Sequence, residues 1–261
     1  MPTTPAAFLI DDDRLAHSCA GDVLTLDGPE GRHAAKVARI SAGEEVLLGD
    51  VAGRQARALV VDADKETLDC ELLLDPLPPL TRTPRLALVQ GLATGGRDEQ
   101  AIESATELGV DRITPWIAQR SVSVWRGEKL RKGHAKWEST VRAAVKQCRR
   151  RGVPTVDQPV NSAALVDDVR ARTASGGLVL VLHEQESTTL MARAEQLRKT
   201  AADCPEITVI VGPEGGVSET EIADLHQAGA RSVLLGREVL RSSTAGPAAL
   251  SVLCALVGRW D

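Results

Sequence analysis

Several signals that would place this 261-residue chain in a familiar class are missing from it. No run approaches the roughly eighteen consecutive apolar residues of a membrane-spanning helix. The opening MPTTPAAFLIDDDRL also lacks the basic-then-apolar layout of a secretory signal. A cytoplasmic protein with no membrane partner is therefore expected. The five cysteines, Cys19, Cys70, Cys148, Cys204 and Cys254, are odd in number and far apart, which argues against both a disulfide framework and a zinc site. The five histidines show no HExxH-like spacing, so no metal is expected. There is no GxxxxGK[ST] phosphate loop, no GxGxxG and no GxSxG elbow, which removes ATP hydrolysis and serine-based acyl transfer from consideration.

What is present begins with an uneven charge. The chain carries a net −5, yet Arg126 to Arg151, RGEKLRKGHAKWESTVRAAVKQCRRR, holds ten Lys and Arg against two Glu. One acidic protein carries one basic segment, closed by Arg149, Arg150 and Arg151. Two readings fit: a solvated helix face, or a row that meets phosphate.

The proline-rich DPLPPLTRTP, Asp75 to Pro84, suits an extended connection and marks the clearest boundary. Before it, DVLTL, EEVLLGD, RQARALVVDAD and TLDCELLLD read as short strands, with EGRHAAKVARI as a helix-like stretch, which predicts a small β-barrel-like domain over residues 1–75. Residues 76–84 form the linker. From 85 to 261 strands alternate with helices, which implies a largely parallel α/β sheet. Its strands are RLALVQGL, RITPWIA, GLVLVLHE, EITVIVG and SVLLG. Its helices are expected at 98–108, 129–148, 162–172, 189–199, 218–227 and 244–257.

Within that domain VIVGPEGGVSETEI, Val209 to Ile222, is a strand, a glycine-rich loop and a helix start. Ser218 with Glu221 three residues on has capping-box spacing, and Val217 can pack against Ile222. Gly212, Gly215 and Gly216 allow close backbone approach at the carboxyl end of a strand, where α/β proteins bind ligands. A tight turn with no ligand would use the same residues. A second such loop follows in LLGREVLRSSTAGPAALSVL, Leu234 to Leu253.

These two loops, with ATELGVDRITPWIAQRS (Ala105 to Ser121) and AAVKQCRRRGVP (Ala143 to Pro154), closely resemble the ribosomal RNA uridine N3-methyltransferase family of the SPOUT class, which modifies small-subunit rRNA. The resemblance covers nearly the whole chain, with GRHAAKVARISAGEEVLLGD lying where the family's PUA-like RNA-binding domain has its signature. It implies a trefoil-knotted parallel α/β domain behind a PUA-like β-barrel. It also implies a homodimer, S-adenosyl-L-methionine as cofactor, and 16S rRNA within the small ribosomal subunit as partner. Carried onto this sequence, the cofactor residues are Leu182, His183 and Glu184; Gly212, Pro213, Glu214, Gly215 and Gly216; and Leu235, Gly236, Val239, Leu240, Arg241 and Thr244. The chain departs from the family at Arg237-Glu238 (commonly Pro-Arg), Ser243 (Glu), Ser104 (Lys) and Lys146 (Glu). Pro247 is unusual so near the start of the last helix, although a first turn tolerates proline.

The chemistry that the family performs needs a deprotonated uracil nitrogen aligned with an activated methyl group, and a positive group facing the carbonyl oxygens. Arg241 is the catalytic candidate, as a permanent multi-donor cation; the competing role is a salt bridge that braces the fold. Glu214 is a possible carboxylate base or a purely structural one, and His183 reads as pocket wall. The first domain has seven Lys and Arg against fifteen Asp and Glu over residues 1–80, so RNA contact there must be local. Arg32, Lys36 and Arg39, spaced by four and three, are the candidates, with an ordinary solvated face as the alternative.

Overall fold

The computed structural model describes residues 4–260. Contacts divide the chain into two units: residues up to Thr81 together with Arg142–Val153, and Arg82–Val141 together with the residues from Pro154 onward.

The first unit is a five-stranded sheet of β1 (Ala6–Leu9), β2 (Val23–Leu26), β3 (Glu45–Gly49), β4 (Gln55–Ala63) and β5 (Leu68–Leu72), in the order β1-β3-β4-β5-β2. Alternation drives it. In β3 and β5 every second side chain is buried, so one face of each strand turns inward. The core gathers Phe8, Ile10, Leu24, Leu26, Val46, Leu48, Leu68 and Leu72. Strand β1 was not among the predicted strands. It pairs in parallel with β3, a partner some forty residues away, so no local hairpin announces it.

The stretch expected to be one helix is two short pieces, α1 (Gly28–Arg32) and a π-helical run, His33–Ala38. The run ends at Arg39, whose φ of 56° is left-handed, and the Ile40 amide reaches back to the Ala34 carbonyl.

The second unit is a parallel sheet in the order β12-β10-β11-β6-β7-β8, with β9 also pairing β7. Its strands are β6 (Arg85–Gly91), β7 (Arg112–Ile117), β8 (Thr155–Val156), β9 (Val160–Asn161), β10 (Leu178–Leu182), β11 (Glu206–Val211) and β12 (Arg231–Val233). Strands β6 and β11 are neighbours in the middle of the sheet and are buried almost throughout, as expected of strands covered on both faces. The helices are α2 (Arg97–Glu107), α3 (Glu128–Cys148, whose residues from Arg142 onward count with the first unit), α4 (Ser162–Ala174), α5 (Ala194–Ala201), α6 (Glu219–Gln227) and α7 (Ser242–Leu256). Helix α7 packs on α2, β6 and β11, and a Cβ at Gly246 would meet the Leu88 side chain at 3.0 Å.

Three predicted boundaries move. The helix expected from Thr189 is a 3₁₀ turn, Met191–Arg193, leading into α5. Strand β12 stops at Val233, which leaves Leu234–Gly236 in the following loop. Helix α7 begins at Ser242, so Pro247 lies beyond its first turn and cannot donate to the Ser243 carbonyl.

Candidate functional site

Because every strand of the second sheet runs the same way, the loops after β10, β11 and β12 leave its carboxyl edge side by side, where parallel sheets bind ligands. The register places Leu182 opposite Val233, so the first and third loops start level. They are then joined: the His183 amide donates to the Val233 carbonyl at 3.1 Å, Leu190 donates to Leu234 at 2.8 Å, and Leu234 donates to Thr188 at 2.9 Å. The middle loop is pressed against β6. A Cβ at Gly91 would lie 2.6 Å from the Pro213 nitrogen.

The glycines of the middle loop have different neighbours. A Cβ at Gly212 would strike the Val217 side chain at 2.7 Å, and one at Gly215 would strike the Arg120 carbonyl oxygen at 2.7 Å. Gly215 is thus small because protein backbone, from the loop after β7, passes over it. A valine there would displace the Arg120 segment, and loss of ligand binding in such a variant would reflect that movement. Gly216, with φ of 74°, has nothing within 4 Å of its Cβ position, and Gly236 has only Glu238 Oε2 at 3.8 Å. Those two positions leave open space beside the loops.

The start of α6 anchors this edge. The Glu221 amide donates to Ser218 Oγ at 3.2 Å and the Ser218 amide donates to Glu221 Oε2 at 2.9 Å, which is the predicted capping box. Glu221 also accepts from the Gln119 amide at 2.8 Å and from Ser162 Oγ at 2.5 Å. Burial alone pushes its carboxyl up, and these donors outweigh burial and hold it below the ordinary glutamate value. Val217 is buried and Ile222 packs against the same cluster.

Glu214 is engaged. Its Oε1 accepts from the Thr94 amide at 2.9 Å, from Thr94 Oγ1 at 3.1 Å and from Arg97 Nη1 at 2.8 Å. Burial works against its charge, but these bonds lower its pKa, which favours a bracing carboxylate over a base. The loop after β6, with Gly95 and Gly96 both at positive φ, was not singled out from the sequence. Its signal was the same strand, paired glycines and helix start that marked the loop after β11.

The third loop is the exposed one. Val239 is 75 % exposed and Leu240 38 %, so in this structure they stand open and do not form a closed apolar wall. Arg241 is exposed, and its side chain has no hydrogen bond or ion pair among the described residues. Its carbonyl accepts from the Thr244 and Ala245 amides at the start of α7. Next to it, Ser242 Oγ is buried without a hydrogen-bond partner. Leu182, His183 and Leu235 are half-buried and Glu184 and Thr244 exposed.

In the first unit Arg32, Lys36 and Arg39 are all exposed; Lys36 pairs with Glu66 at 2.6 Å. The closing arginines differ among themselves. Arg149 is exposed with φ of 56°. Arg151 is half-buried, its Nε donating to the Gly53 carbonyl at 2.9 Å and its Nη2 to the Pro78 carbonyl. The three therefore do not form a uniform phosphate-facing row. Lys146 pairs with Glu30 at 2.8 Å, which accommodates its departure from the family. Nothing in the structure explains the departure at Ser104.

The fold and these loops define an RNA methyltransferase architecture, and comparison with known proteins agrees. Residues 81–254 match the RNA methyltransferase domain family and residues 26–73 the RNA methyltransferase PUA domain family. The chain is 42 % identical to the ribosomal RNA small subunit methyltransferase E of Mycobacterium tuberculosis, over 92 % of this chain and 89 % of that protein. It is 30 % identical to the protein of the same name from Aquifex aeolicus, over 89 % and 94 %. A Legionella pneumophila methyltransferase solved with bound S-adenosylmethionine superposes with a TM-score of 0.82 at 29 % identity, covering 97 % of this chain and 98 % of that one. The Neisseria gonorrhoeae ribosomal RNA small subunit methyltransferase E, solved bound to S-adenosyl methionine, gives 0.84 at 25 %, covering 99 % and 100 %. The chain belongs to the ribosomal RNA small subunit methyltransferase E family. The expected family, with its PUA-like first domain ahead of a parallel α/β domain, is borne out.

Proposed function

We propose that this protein transfers a methyl group from S-adenosyl-L-methionine to N3 of a uridine in 16S rRNA of the small ribosomal subunit. The observation that carries the reading is the gathering of three loops at one sheet edge, the third of them ending in an exposed and unengaged arginine, Arg241. We assign residues 1–75 to RNA contact, 76–84 to the linker and 85–261 to catalysis, with the third loop threaded in the trefoil knot of the class and the active form a homodimer.

The residues present suit the cofactor. Open space lies at Gly216 and Gly236, and the Ser242 hydroxyl is buried with its hydrogen-bonding capacity unused. Leu182, His183 and Glu184, Gly212 to Gly216, and Leu235, Gly236, Val239, Leu240, Arg241 and Thr244 would hold it, largely through backbone amides and aliphatic surface. Bound there, it supplies a methyl group already activated as a sulfonium. The protein's task lies on the uracil side. N3 must lose its proton before its lone pair can form the new nitrogen–carbon bond. Arg241 lowers the cost of that loss by donating to a carbonyl oxygen on which the negative charge collects. The proton leaves to solvent, since Glu214 is held by Thr94 and Arg97. The base is presented by extrusion from its stack.

The test is nucleoside mass spectrometry of small ribosomal subunits from cells lacking the enzyme, treated with protein and cofactor. N3-methyluridine is the expected product. A 2′-O-methylated nucleoside would assign the chain to ribose methylation, and no new methylation would leave an RNA-binding or assembly role.

A further inference from the structure

We propose that an open cavity beside the cofactor loops receives the RNA strand carrying the methylated base, with the strand's phosphates against Lys129, Lys132 and Lys136. The inference deepens the RNA-methylation reading above and rests on it. The cavity has a volume of about 680 Å³, within the range of roughly 300–1,000 Å³ typical of ligand sites, and lies between the β6–α2 loop, Val122 to Trp125, and the first turns of α3.

Its place follows from the sheet. Strand β6 is the neighbour of β11, so the loop after β6 leaves the carboxyl edge beside the middle cofactor loop. Glu214 ties the two loops together through Thr94 and Arg97. An occupant of the cavity therefore rests against a wall that is bonded to the cofactor loop.

Its chemistry suits a phosphodiester chain. Lys129, Lys132 and Lys136 recur at three and four residues, so they share one face of α3 and form a row about 10 Å long, at about 1.5 Å of rise per residue. Lys129 engages no carboxylate among the described residues. Lys132 pairs with Glu128 at 2.9 Å with both side chains exposed, where water screens the attraction and a phosphate can take the carboxylate's place, whereas Lys136 is exposed but its partner Glu99, at 2.6 Å, is half-buried. The third acid, Asp98, is buried and accepts from the Glu99 amide at 3.0 Å, so it serves the loop; burial raises its pKa. Gly95 has nothing within 4 Å of its Cβ position, which lets a strand approach the backbone there. The lysine row is held rigidly. The Trp125 ring packs where a Cβ on Gly133 would stand, 2.5 Å away, and meets Trp137 edge-to-face at a centroid distance of 5.5 Å. A row of amines spaced along one face of a helix fits the regular phosphates of an extended polyanion.

The test uses full-length Lys129→Gln/Lys132→Gln and small ribosomal subunits lacking the modification. The expected result is a KM for subunits raised about tenfold, kcat within about twofold, and a salt dependence of subunit binding that is shallower by about one to two in log-log slope. Cofactor affinity and melting temperature should match wild type. Unchanged KM and salt slope would overturn the proposal, as would a loss explained by unfolding. Filter retention of the same subunits reads the cavity even if no methyl is transferred, so failure of the methylation reading and failure of the cavity assignment are separable.

Discussion

Only the amino end of the second unit's sheet holds a buried cation cluster, whereas the carboxyl end displays its arginines at half-exposed or exposed positions. At the amino end, Arg172 is only 7 % exposed and is faced by Asp168 at 2.8 Å, by Glu206 and, at 3.9 Å, by Asp157, with Thr208 at 3.0 Å. Arg112 meets Asp157 at 2.7 Å. Arg259 donates to Asp111 and to the carbonyls of Pro84 and Gly109. At the carboxyl end Arg120, Arg237 and Arg241 stand exposed. At the amino end Arg112, Arg172 and Arg259 hold strands and helices together, while Arg85 and Arg231 at the starts of β6 and β12 stand exposed. The carboxyl end leaves Arg241 and Lys129 unengaged, as an edge must if a polyanion is to arrive there.

Removing a committed cation should do the most damage. Arg172→Met leaves Asp168 and Glu206 partly buried without their partner, and the expected loss is about 3–5 kcal/mol of stability. Denaturant unfolding measures it. The comparison would break if the variant were as stable as wild type while losing activity, because that would place a functional cation at the amino end.

At the other end the signature reverses. Arg241→Ala should lower single-turnover methylation of ribosomal subunits by about a hundredfold or more, with an unchanged melting temperature. Arg241→Lys should recover part of the rate, since a point charge cannot reproduce the planar fork. Full activity in the alanine variant would remove Arg241 from catalysis. A loss that follows the unfolded fraction would make it a brace like Arg172.

The carboxylates sharpen the contrast at a smaller scale. Glu221→Gln keeps the shape of the α6 cap but weakens four contacts, for an expected cost of about 1–2 kcal/mol. The pH dependence carries more information. Burial pushes the Glu221 pKa up, yet the bonds from Ser162, Gln119 and Ser218 bring it below its ordinary 4.5. A folded pKa below the unfolded one gives a stabilisation that is complete above the unfolded value and is lost as pH falls through the folded one. Thermal unfolding followed from about pH 6 to about pH 3 should therefore show wild type losing more stability than the glutamine variant. Parallel curves would mean that Glu221 contributes nothing through its charge.

What the sequence made legible was local. The Ser218–Glu221 cap depends on four consecutive residues, and the strand–glycine–helix order around the loops after β11 and β12 is written along the chain. The misses were contacts between distant segments. Strand β1 is defined by a parallel partner in β3, and the neighbour of Gly215 is Arg120, almost a hundred residues earlier. The engagement of Glu214 depends on Thr94 and Arg97 across the β6–β11 pairing. Even the π-helical run at His33–Ala38 escapes periodicity, because its residues look like those of any short amphipathic helix.

The same division between engaged and unengaged cations recurs within three consecutive residues of the first unit, and here the expected effects are smallest. Arg149 is exposed, whereas the Arg151 guanidinium is bound to the carbonyls of Gly53 and Pro78. If the basic run meets phosphate, Arg149→Gln should reduce the log-log salt slope of RNA binding by about 0.7–0.9, the share of one phosphate contact. Affinity at moderate salt should fall only a few-fold and the melting temperature should hold. Glutamine is the right replacement because Arg149 has positive φ, and asparagine or glycine would change backbone strain along with charge. Arg151→Gln should do the reverse, lowering the melting temperature by unhooking the Gly53 and Pro78 carbonyls while the salt slope stays at the wild-type value. Filter binding across a salt series, beside thermal unfolding of each single variant, separates the two. Identical salt slopes in wild type and Arg149→Gln would make Arg149 a solvated surface residue. An altered slope in Arg151→Gln with unchanged stability would mean that its two carbonyl bonds give way when RNA binds.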